Sequence, residues 1–346
     1  MRGKPVMHRN RTRIALVALW FLAAGLASAS SASTATRIGI FYSRPAAIAL
    51  GRELGVHYER FGMAVFGANG VQLERIRAAE AAGFALNIQF TNVAAGDHGA
   101  RPGPVTDDAA FEAAFASDLD AAKPELVTIQ NEEDGQDFWS GTPAEYLHEL
   151  ADAVQVAHAR GYRISNGGLT SMGVKLAYWH YLWMTGQRRA ADSFAADTLT
   201  PKLNHGLIIR GDIPDSRAPL RAVLGHNAPI RAKLARVEAL IAGYPATGVD
   251  YVNFHWYENG PEDLRAVATW LSQATHLPAI CNEMGQFSDD PDTVTALLSE
   301  VVSLRLPYLF WFAPDARQGV AVGLADEDGA PRANGVAFKA FLAAHP

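Results

Sequence analysis

The sequence has few of the features that mark several common kinds of protein. Its single cysteine, Cys281, excludes an intramolecular disulfide, so the folded chain must depend on its core. Charged residues make up only 19% of the chain and hydrophobic residues 49%, which is not the composition of a disordered protein. We therefore expect a well-packed fold, and a bacterial periplasm or exterior suits an exported chain without disulfides.

Basic clusters, metal-binding motifs and phosphate loops are also missing. The net charge is -6 and no Lys/Arg cluster lies beyond the extreme N-terminus, so nucleic acid is not an expected partner. The eleven histidines form no HExxH motif and no Cys-His ligand spacing, and no metal or organic cofactor is expected. The first predicted strand is not followed by a Gly-rich loop, which argues against a dinucleotide-binding open sheet.

The N-terminus has the layout of a secretory signal peptide. Arginines within positions 9–13 precede an apolar run at 14–26, and small residues at 27–29 offer a cleavage site. We expect residues 1–29 to be a signal peptide, 30–36 a linker, and the product to be secreted or periplasmic. The apolar run is short for a membrane span, so no membrane partner is expected beyond this segment, although an uncleaved anchor is the alternative.

From residue 37 onward, buried strands alternate with amphipathic helices eight times. Strands that are apolar on both faces and alternate with helices are typical of a parallel (β/α)8 TIM barrel, so we predict an α/β fold of this class over residues 37–346. A long helical insertion, about 167–247, follows the fifth strand, and a monomer is the expected state. The predicted strands cover residues 37–42, 56–61, 84–90, 126–132, 162–166, 249–257, 277–283 and 306–312.

Two of these strands end in the same dipeptide. The fourth ends in Asn131-Glu132 and the seventh in Asn282-Glu283. Barrel enzymes keep their active sites at the carboxyl ends of the strands, and the fourth and seventh strands face each other across the barrel mouth. Paired carboxyl groups across a cleft are the machinery of glycosidic-bond hydrolysis, with one as acid and the other as nucleophile or base.

This arrangement resembles glycoside hydrolase clan A, the retaining barrel enzymes that include families 5 and 39. The resemblance implies that Glu132 is the acid/base, that Glu283 is the nucleophile, and that an oligo- or polysaccharide is the substrate. It also implies a set of sugar-binding and positioning side chains: Arg60, Asn131, His255, Tyr257 and the stacking tryptophan Trp311. We expect the charge of Arg60 to lower the pKa of Glu283, and neighbouring acids to raise the pKa of Glu132.

The sequence departs from the clan pattern in three places, one of which is the long insertion after the fifth strand. The third strand lacks the histidine that family 5 commonly has, and Asn282 replaces the usual Thr or Ser before the nucleophile. Two other functions stay open at this point. One is a barrel that binds carbohydrate without cleaving it, and the other is an inverting or non-glycosidic barrel hydrolase.

Overall fold

The computed structural model describes most of the chain after the N-terminal segment. The described residues are 35–41, 47–66, 70–94, 101–199, 227–313, 322–326 and 328–345. The predicted signal peptide and nearly all of the predicted linker lie outside these residues. The described residues belong to one compact unit.

Eight parallel strands form one sheet in the order β5-β4-β3-β2-β1-β8-β7-β6. The two outermost strands come together through parallel bridges, Ser165 with Tyr251 and Leu169 with Phe254, so the sheet is a nearly closed barrel. The strands are β1 (Arg37–Phe41), β2 (Tyr58–Phe66), β3 (Ala85–Ala94), β4 (Leu126–Ile129), β5 (Arg163–Asn166), β6 (Val252–Trp256), β7 (Ala279–Met284) and β8 (Tyr308–Phe312).

Helices surround this barrel, and the predicted (β/α)8 architecture is confirmed. They are α1 (Ala47–Leu54), α2 (Gly70–Ala81), α3 (Asp108–Ala122), α4 (Pro143–His158), α5 (Ser171–Met184), α6 (Arg188–Thr198), α7 (Ala228–Thr247), α8 (Pro261–Thr275), α9 (Pro291–Leu304) and α10 (Ala333–Ala344). Helices α5, α6 and α7 all lie between β5 and β6, and residues 200–226 of the predicted insertion are outside the described residues. Within the described ranges, no helix is long and apolar enough to cross a membrane.

Local sequence signals set the start of helix α4, which follows the site-bearing strand β4. Thr142 is the N-cap, Pro143 is the first helical residue, and the Glu145 carboxylate accepts a hydrogen bond from the Thr142 backbone N–H at 2.7 Å. The Thr142 hydroxyl in turn accepts from the Glu145 backbone N–H, which completes a capping box. These local signals therefore fix the start of α4 at Pro143.

The apolar residues form two layers of core. The larger lies between the sheet and the helices, and the smaller fills the lower barrel interior with Leu126, Ile280, Tyr308 and Phe310. Each such side chain stabilises the fold by roughly 1.5–3 kcal/mol relative to exposure. Polar side chains take over toward the carboxyl ends of the strands, and this is the end where the predicted glutamates lie.

Candidate active site

Glu132 lies in an unusual turn directly after β4. Gln130 has φ +64° and Glu132 has φ +44°, so two non-glycine residues on either side of Asn131 adopt left-handed conformations. Such conformations cost free energy and persist where surrounding contacts impose them, which is common at functional sites. The turn redirects the chain at the barrel mouth and places the Glu132 carboxyl beside β6 and β7.

Buried contacts hold this turn in place. Glu133 accepts hydrogen bonds from Asn166 Nδ2 at 2.7 Å and from the Tyr244 hydroxyl at 2.5 Å. The Asp134 carboxylate is bound by Lys233 Nζ at 2.8 Å, and Arg236 donates to the Glu133 backbone carbonyl. Helix α7, from the region predicted as an insertion, therefore anchors the residues that follow Glu132.

The environment of Glu132 raises its pKa, as the sequence predicts, but mainly for another reason. Burial is the largest cause, and the negative charges of Glu283 and Asp134 add smaller contributions in the same direction. The hydrogen bond and charge of His255 oppose this effect without reversing it. Glu132 is thus the carboxyl that keeps its proton to higher pH.

Glu283, on β7, has the opposite character. Burial alone would raise its pKa, but the positive charges of His255 and Arg60 outweigh burial and lower it. Arg60 Nη1 donates to Glu283 Oε2 at 2.7 Å, and the Tyr257 hydroxyl donates to Glu283 Oε1 at 2.6 Å. Arg60 is fully buried, so this ion pair is shielded from solvent screening. Glu283 is therefore the carboxyl that stays ionised.

The two glutamates approach each other closely across the barrel mouth. One oxygen of Glu132, one oxygen of Glu283 and one ring nitrogen of His255 all lie within 4.8 Å of one another. Both carboxylates retain some solvent exposure, 16% for the Glu132 side chain and 13% for that of Glu283, whereas His255 has none. The site is thus an open pair of carboxyl groups above a buried imidazole.

Arg60 connects both halves of the site. Its Nη2 donates to Asn131 Oδ1 at 2.8 Å and also to Gln89 Oε1, while its Nη1 binds Glu283. The Asn131 amide group is oriented by this contact, because its oxygen faces the guanidinium and its Nδ2 is left as the donor. Gln89, on β3, was not predicted as a site residue, although it lies close to the end of a strand.

Asn282, the residue that departs from the clan pattern before Glu283, holds His255 in one orientation. His255 Nε2 lies 3.0 Å from Asn282 Oδ1, and Asn282 Nδ2 donates to Asn87 Oδ1 at 3.3 Å. Because the amide oxygen of Asn282 faces the ring, His255 Nε2 carries a hydrogen in either charge state. His255 Nδ1, which lies 3.0 Å from Glu132 Oε1, is then the nitrogen that gains and loses a proton.

The pKa of His255 is raised. Burial acts to lower it, but the charge of Glu283 and the hydrogen bond with Glu132 outweigh burial. Glu132 and His255 Nδ1 therefore compete for one proton at the site. This coupling could not be read from the sequence, since it depends on the turn after β4 that brings the Glu132 carboxyl beside His255 of β6.

Gly168 is a further residue that sequence reasoning missed. It has φ +102°, and a Cβ atom built on it would lie 2.3 Å from His255 Nε2. A side chain at this position would displace the imidazole from its place between the glutamates. The pair Gly167-Gly168 after β5 is the signal that could have identified it.

The prediction for Trp311 is wrong. Its side chain has no exposed surface and packs edge-to-face on Phe338 of α10, at 6.0 Å between ring centroids. A side chain in the layer between sheet and helices cannot stack on a sugar. Strand alternation instead directs the next residue, Phe312, toward the mouth, where its ring lies 6.1 Å from that of Tyr257.

Two groups of side chains have the spacing of metal ligands. One is the trio of Glu132, His255 and Glu283, and the other is the surface group of Asp108, His148 and Asp152. In the first, Arg60 already supplies a positive charge to Glu283, so a cation would compete with the guanidinium. The second lies on the outer helices α3 and α4, where Asp108 and His148 are solvent-exposed and Asp152 is half-buried.

No protein-family model matches this chain, and no curated protein matches it. Solved structures of similar fold do exist. An endo-β-1,3-glucanase of glycoside hydrolase family 128 (subgroup II) from Sorangium cellulosum is 15% identical, with a TM-score of 0.51 over 90% of this chain and 98% of that chain. A fungal β-1,4-galactanase structure is 14% identical, with a TM-score of 0.54 over 88% of this chain and 99% of that chain. A family 128 (subgroup VI) exo-β-1,3-glucanase from Aureobasidium namibiae is 10% identical, with a TM-score of 0.51 over 86% and 93% of the two chains.

At these identities the similarity concerns the fold. The chain has a clan A glycosidase-like barrel, as the resemblance of its motifs implies. Families 5 and 39 receive no specific support from these structures, which are two family 128 glucanases and a fungal β-1,4-galactanase.

Proposed function

We propose that this protein is a retaining glycoside hydrolase that cleaves β-linked oligo- or polysaccharides. The observation that carries the proposal is the pair of carboxyl groups with opposite protonation tendencies at the ends of β4 and β7. Their oxygens approach within 4.8 Å. Retaining glycosidases place the two carboxyl groups about 5–5.5 Å apart, whereas inverting enzymes need about 6.5–9.5 Å to admit a water molecule.

The proposed reaction divides the chemistry between the two groups. Protonated Glu132 gives its proton to the leaving oxygen while ionised Glu283 attacks the anomeric carbon and forms a glycosyl-enzyme ester. Glu132, now ionised, then accepts a proton from water, which attacks the same carbon and releases Glu283. Asn131 Nδ2 is available to donate to the 2-hydroxyl of the sugar, a contact that strengthens in the transition state.

The substrate and the cellular location are part of the same proposal. Proteins of similar fold are described as β-1,3-glucanases and β-1,4-galactanases, so these two linkages are the first to assay. The pattern of residues 1–29 supports export through a cleaved signal peptide, to the periplasm or exterior.

The test is hydrolysis of a panel of β-glucans and β-galactans, with the anomeric configuration of the first product followed by NMR. We expect the β-anomer to form first and then mutarotate. Initial formation of the α-anomer would replace retention by inversion. Binding of glycans without any turnover by the wild-type protein would favour the non-catalytic barrel instead.

A further inference from the structure

A cavity of about 240 Å³ lies beside the candidate active site, between the carboxyl ends of β1, β2 and β3 and helix α2. We call it the β2 cavity, and among its lining residues are Phe41, Arg60, Gly62 and Arg75. It is smaller than the roughly 300–1,000 Å³ typical of pockets for drug-sized ligands, so it suits a single sugar unit. Arg60 lines the cavity and also binds Glu283, so the cavity adjoins the candidate active site.

Aromatic rings connect the two places. The Phe41 ring lies 5.5 Å from that of Phe312, which in turn lies 6.1 Å from that of Tyr257, the hydrogen-bond partner of Glu283. The Arg60 guanidinium lies over the Phe41 ring, 4.3 Å from its centroid. Apolar ring faces of this kind accommodate the C–H faces of sugars. A glycan bound at Glu283 thus has an aromatic path into the β2 cavity.

The β2 cavity has an unbalanced positive charge. Two guanidinium groups line it, and none of the described residues that line it is acidic. Arg60 is already paired with Glu283, whereas Arg75 has no ion pair or hydrogen bond with any described residue. A guanidinium binds a carboxylate through two parallel hydrogen bonds, which a neutral hydroxyl cannot reproduce.

Gly62 is a second observation that favours a ligand in the β2 cavity. It lies within β2, where glycine weakens a strand, and its backbone φ is not in the left-handed region. A Cβ atom built on it would meet nothing within 4 Å. Neither the φ of Gly62 nor packing within the described structure requires glycine here, and close approach of a ligand is one of the ordinary reasons for a glycine within a strand.

We propose that the β2 cavity is a subsite for a sugar unit bearing a carboxylate, and that the substrate is an acidic β-linked glycan of the uronic-acid-containing class. This inference rests on the proposed function, because it takes the neighbouring glutamates as the site of cleavage. Arg75 is then the specificity-determining residue.

The test compares two forms of one oligosaccharide in a variant that does not turn it over. The ligands are a tetrasaccharide of alternating β-glucuronosyl and β-glucosyl units and the same molecule after chemical reduction of its carboxyl groups. Calorimetric titration uses Glu132→Gln protein, in which the cavity is unaltered. We expect the acidic form to bind about tenfold tighter or more, as for a hydrogen bond to a charged group.

Three further substitutions in the same background locate the effect. Arg75→Gln should abolish the preference for the acidic form, and Arg75→Lys should retain part of it. Arg77→Gln removes an exposed arginine of α2 that does not line the cavity, and should change nothing. Gly62→Val should weaken binding of both forms by filling the space, while the folded protein keeps its stability.

Three outcomes would overturn the inference. They are equal binding of the two forms, binding of neither form, and a preference for the acidic form that persists in Arg75→Gln. These outcomes are separate from failure of the proposed function, since binding is measured without turnover. A protein that hydrolyses neutral β-glycans but binds both forms equally would refute the cavity assignment alone. A protein that prefers the acidic form through Arg75 but cleaves nothing would refute the hydrolase alone.

Discussion

His255 lies between the two glutamates and acts on both of them. Its positive charge opposes the burial that raises the pKa of Glu132, and together with Arg60 it outweighs burial and lowers the pKa of Glu283. Tyr257 also donates a hydrogen bond to Glu283. The acid limb of a kcat/KM profile reports ionisation of the nucleophile, and the alkaline limb reports loss of the proton from the acid. The activity window is therefore expected between the lowered pKa of Glu283 and the raised pKa of Glu132.

Replacing His255 by glutamine should move both limbs of the profile to higher pH. The physical reason is that the variant loses a charge that lowers the pKa of each carboxyl group. Tyr257→Phe is the matched comparison, because it removes a donor to Glu283 and should move the acid limb alone. The measurement is kcat/KM against pH for the three proteins, and a shift of only one limb in His255→Gln would contradict the assignment.

Gly168→Ala should reduce kcat by about 100-fold, since small displacements of catalytic groups have effects of this size. The added methyl group would overlap His255 Nε2 and push the ring out of place. Gly161→Ala is the control, because Gly161 also has a positive φ, +79°, but its Cβ would meet nothing within 4 Å. Similar losses of kcat in both variants would mean that backbone strain, and not contact with His255, is responsible.

At the scale of secondary-structure elements, a buried ion pair joins α5 to the loop after β6. Lys175 and Glu258 are both buried and in direct contact, and Lys175 also donates to the Thr198 backbone carbonyl at 2.9 Å. Glu258 follows Tyr257 directly in the chain. The contact thus links helices of the β5–β6 connection to Tyr257, which donates a hydrogen bond to Glu283.

Lys175→Met should destabilise the protein by about 3–5 kcal/mol, because it leaves a buried carboxyl group without its partner. The double variant with Glu258→Leu should recover much of this loss, since a buried pair replaced by apolar groups is often neutral. Urea unfolding of the two single variants and the double variant measures the coupling. Additive losses would show that the two side chains do not depend on each other.

Sequence patterns predict these elements well where the periodicity is local. The capping box at Thr142 marks the start of α4, and the apolar runs of β4 and β7 lead to Glu132 and Glu283, although β4 ends at Ile129 and Glu132 lies in the turn that follows. The prediction for Trp311 was wrong because it relied on a motif position. Successive side chains of β8 point to opposite faces of the sheet, and this alternation decides which of them faces the barrel mouth. Two other features could not be predicted from a single sequence, because they depend on contacts between strands that are distant in the chain. They are the hydrogen bond between His255 and Asn282 and the cavity at Gly62.

At the scale of the whole molecule, several carboxyl groups are buried outside the site. Glu59 has both oxygens buried without a hydrogen-bond partner among the described residues, and burial raises its pKa from 4.5 to about 8. A carboxyl with a raised folded-state pKa holds its proton longer in the folded than in the unfolded chain. The free energy of unfolding therefore decreases as pH rises from about 4.5 to about 8. Above that range Glu59 causes no further decrease.

Glu59→Gln should raise the free energy of unfolding at pH 8 by an amount on the order of several kcal/mol, with little change below pH 4.5. The reason is that the amide has no proton to lose. Glu74→Gln, at an exposed position on α2, is the control and should leave the pH dependence unchanged. The measurement is urea unfolding at pH 4.5, 6 and 8, and an equal effect of Glu59→Gln at all three values would contradict the expectation.

The proposed retaining mechanism requires a covalent bond between Glu283 and the sugar. Incubation with β-glycosides that carry a 2-fluoro substituent and a good leaving group, followed by mass spectrometry of the digested protein, detects this bond. We expect a single added sugar on the peptide that contains Glu283. Every glycoside that reacts with the wild-type protein should label this same site, and the Glu283→Gln variant should carry no label. Cleavage of the glycosides with no adduct, or an adduct on another residue, would contradict the assignment of Glu283 as nucleophile.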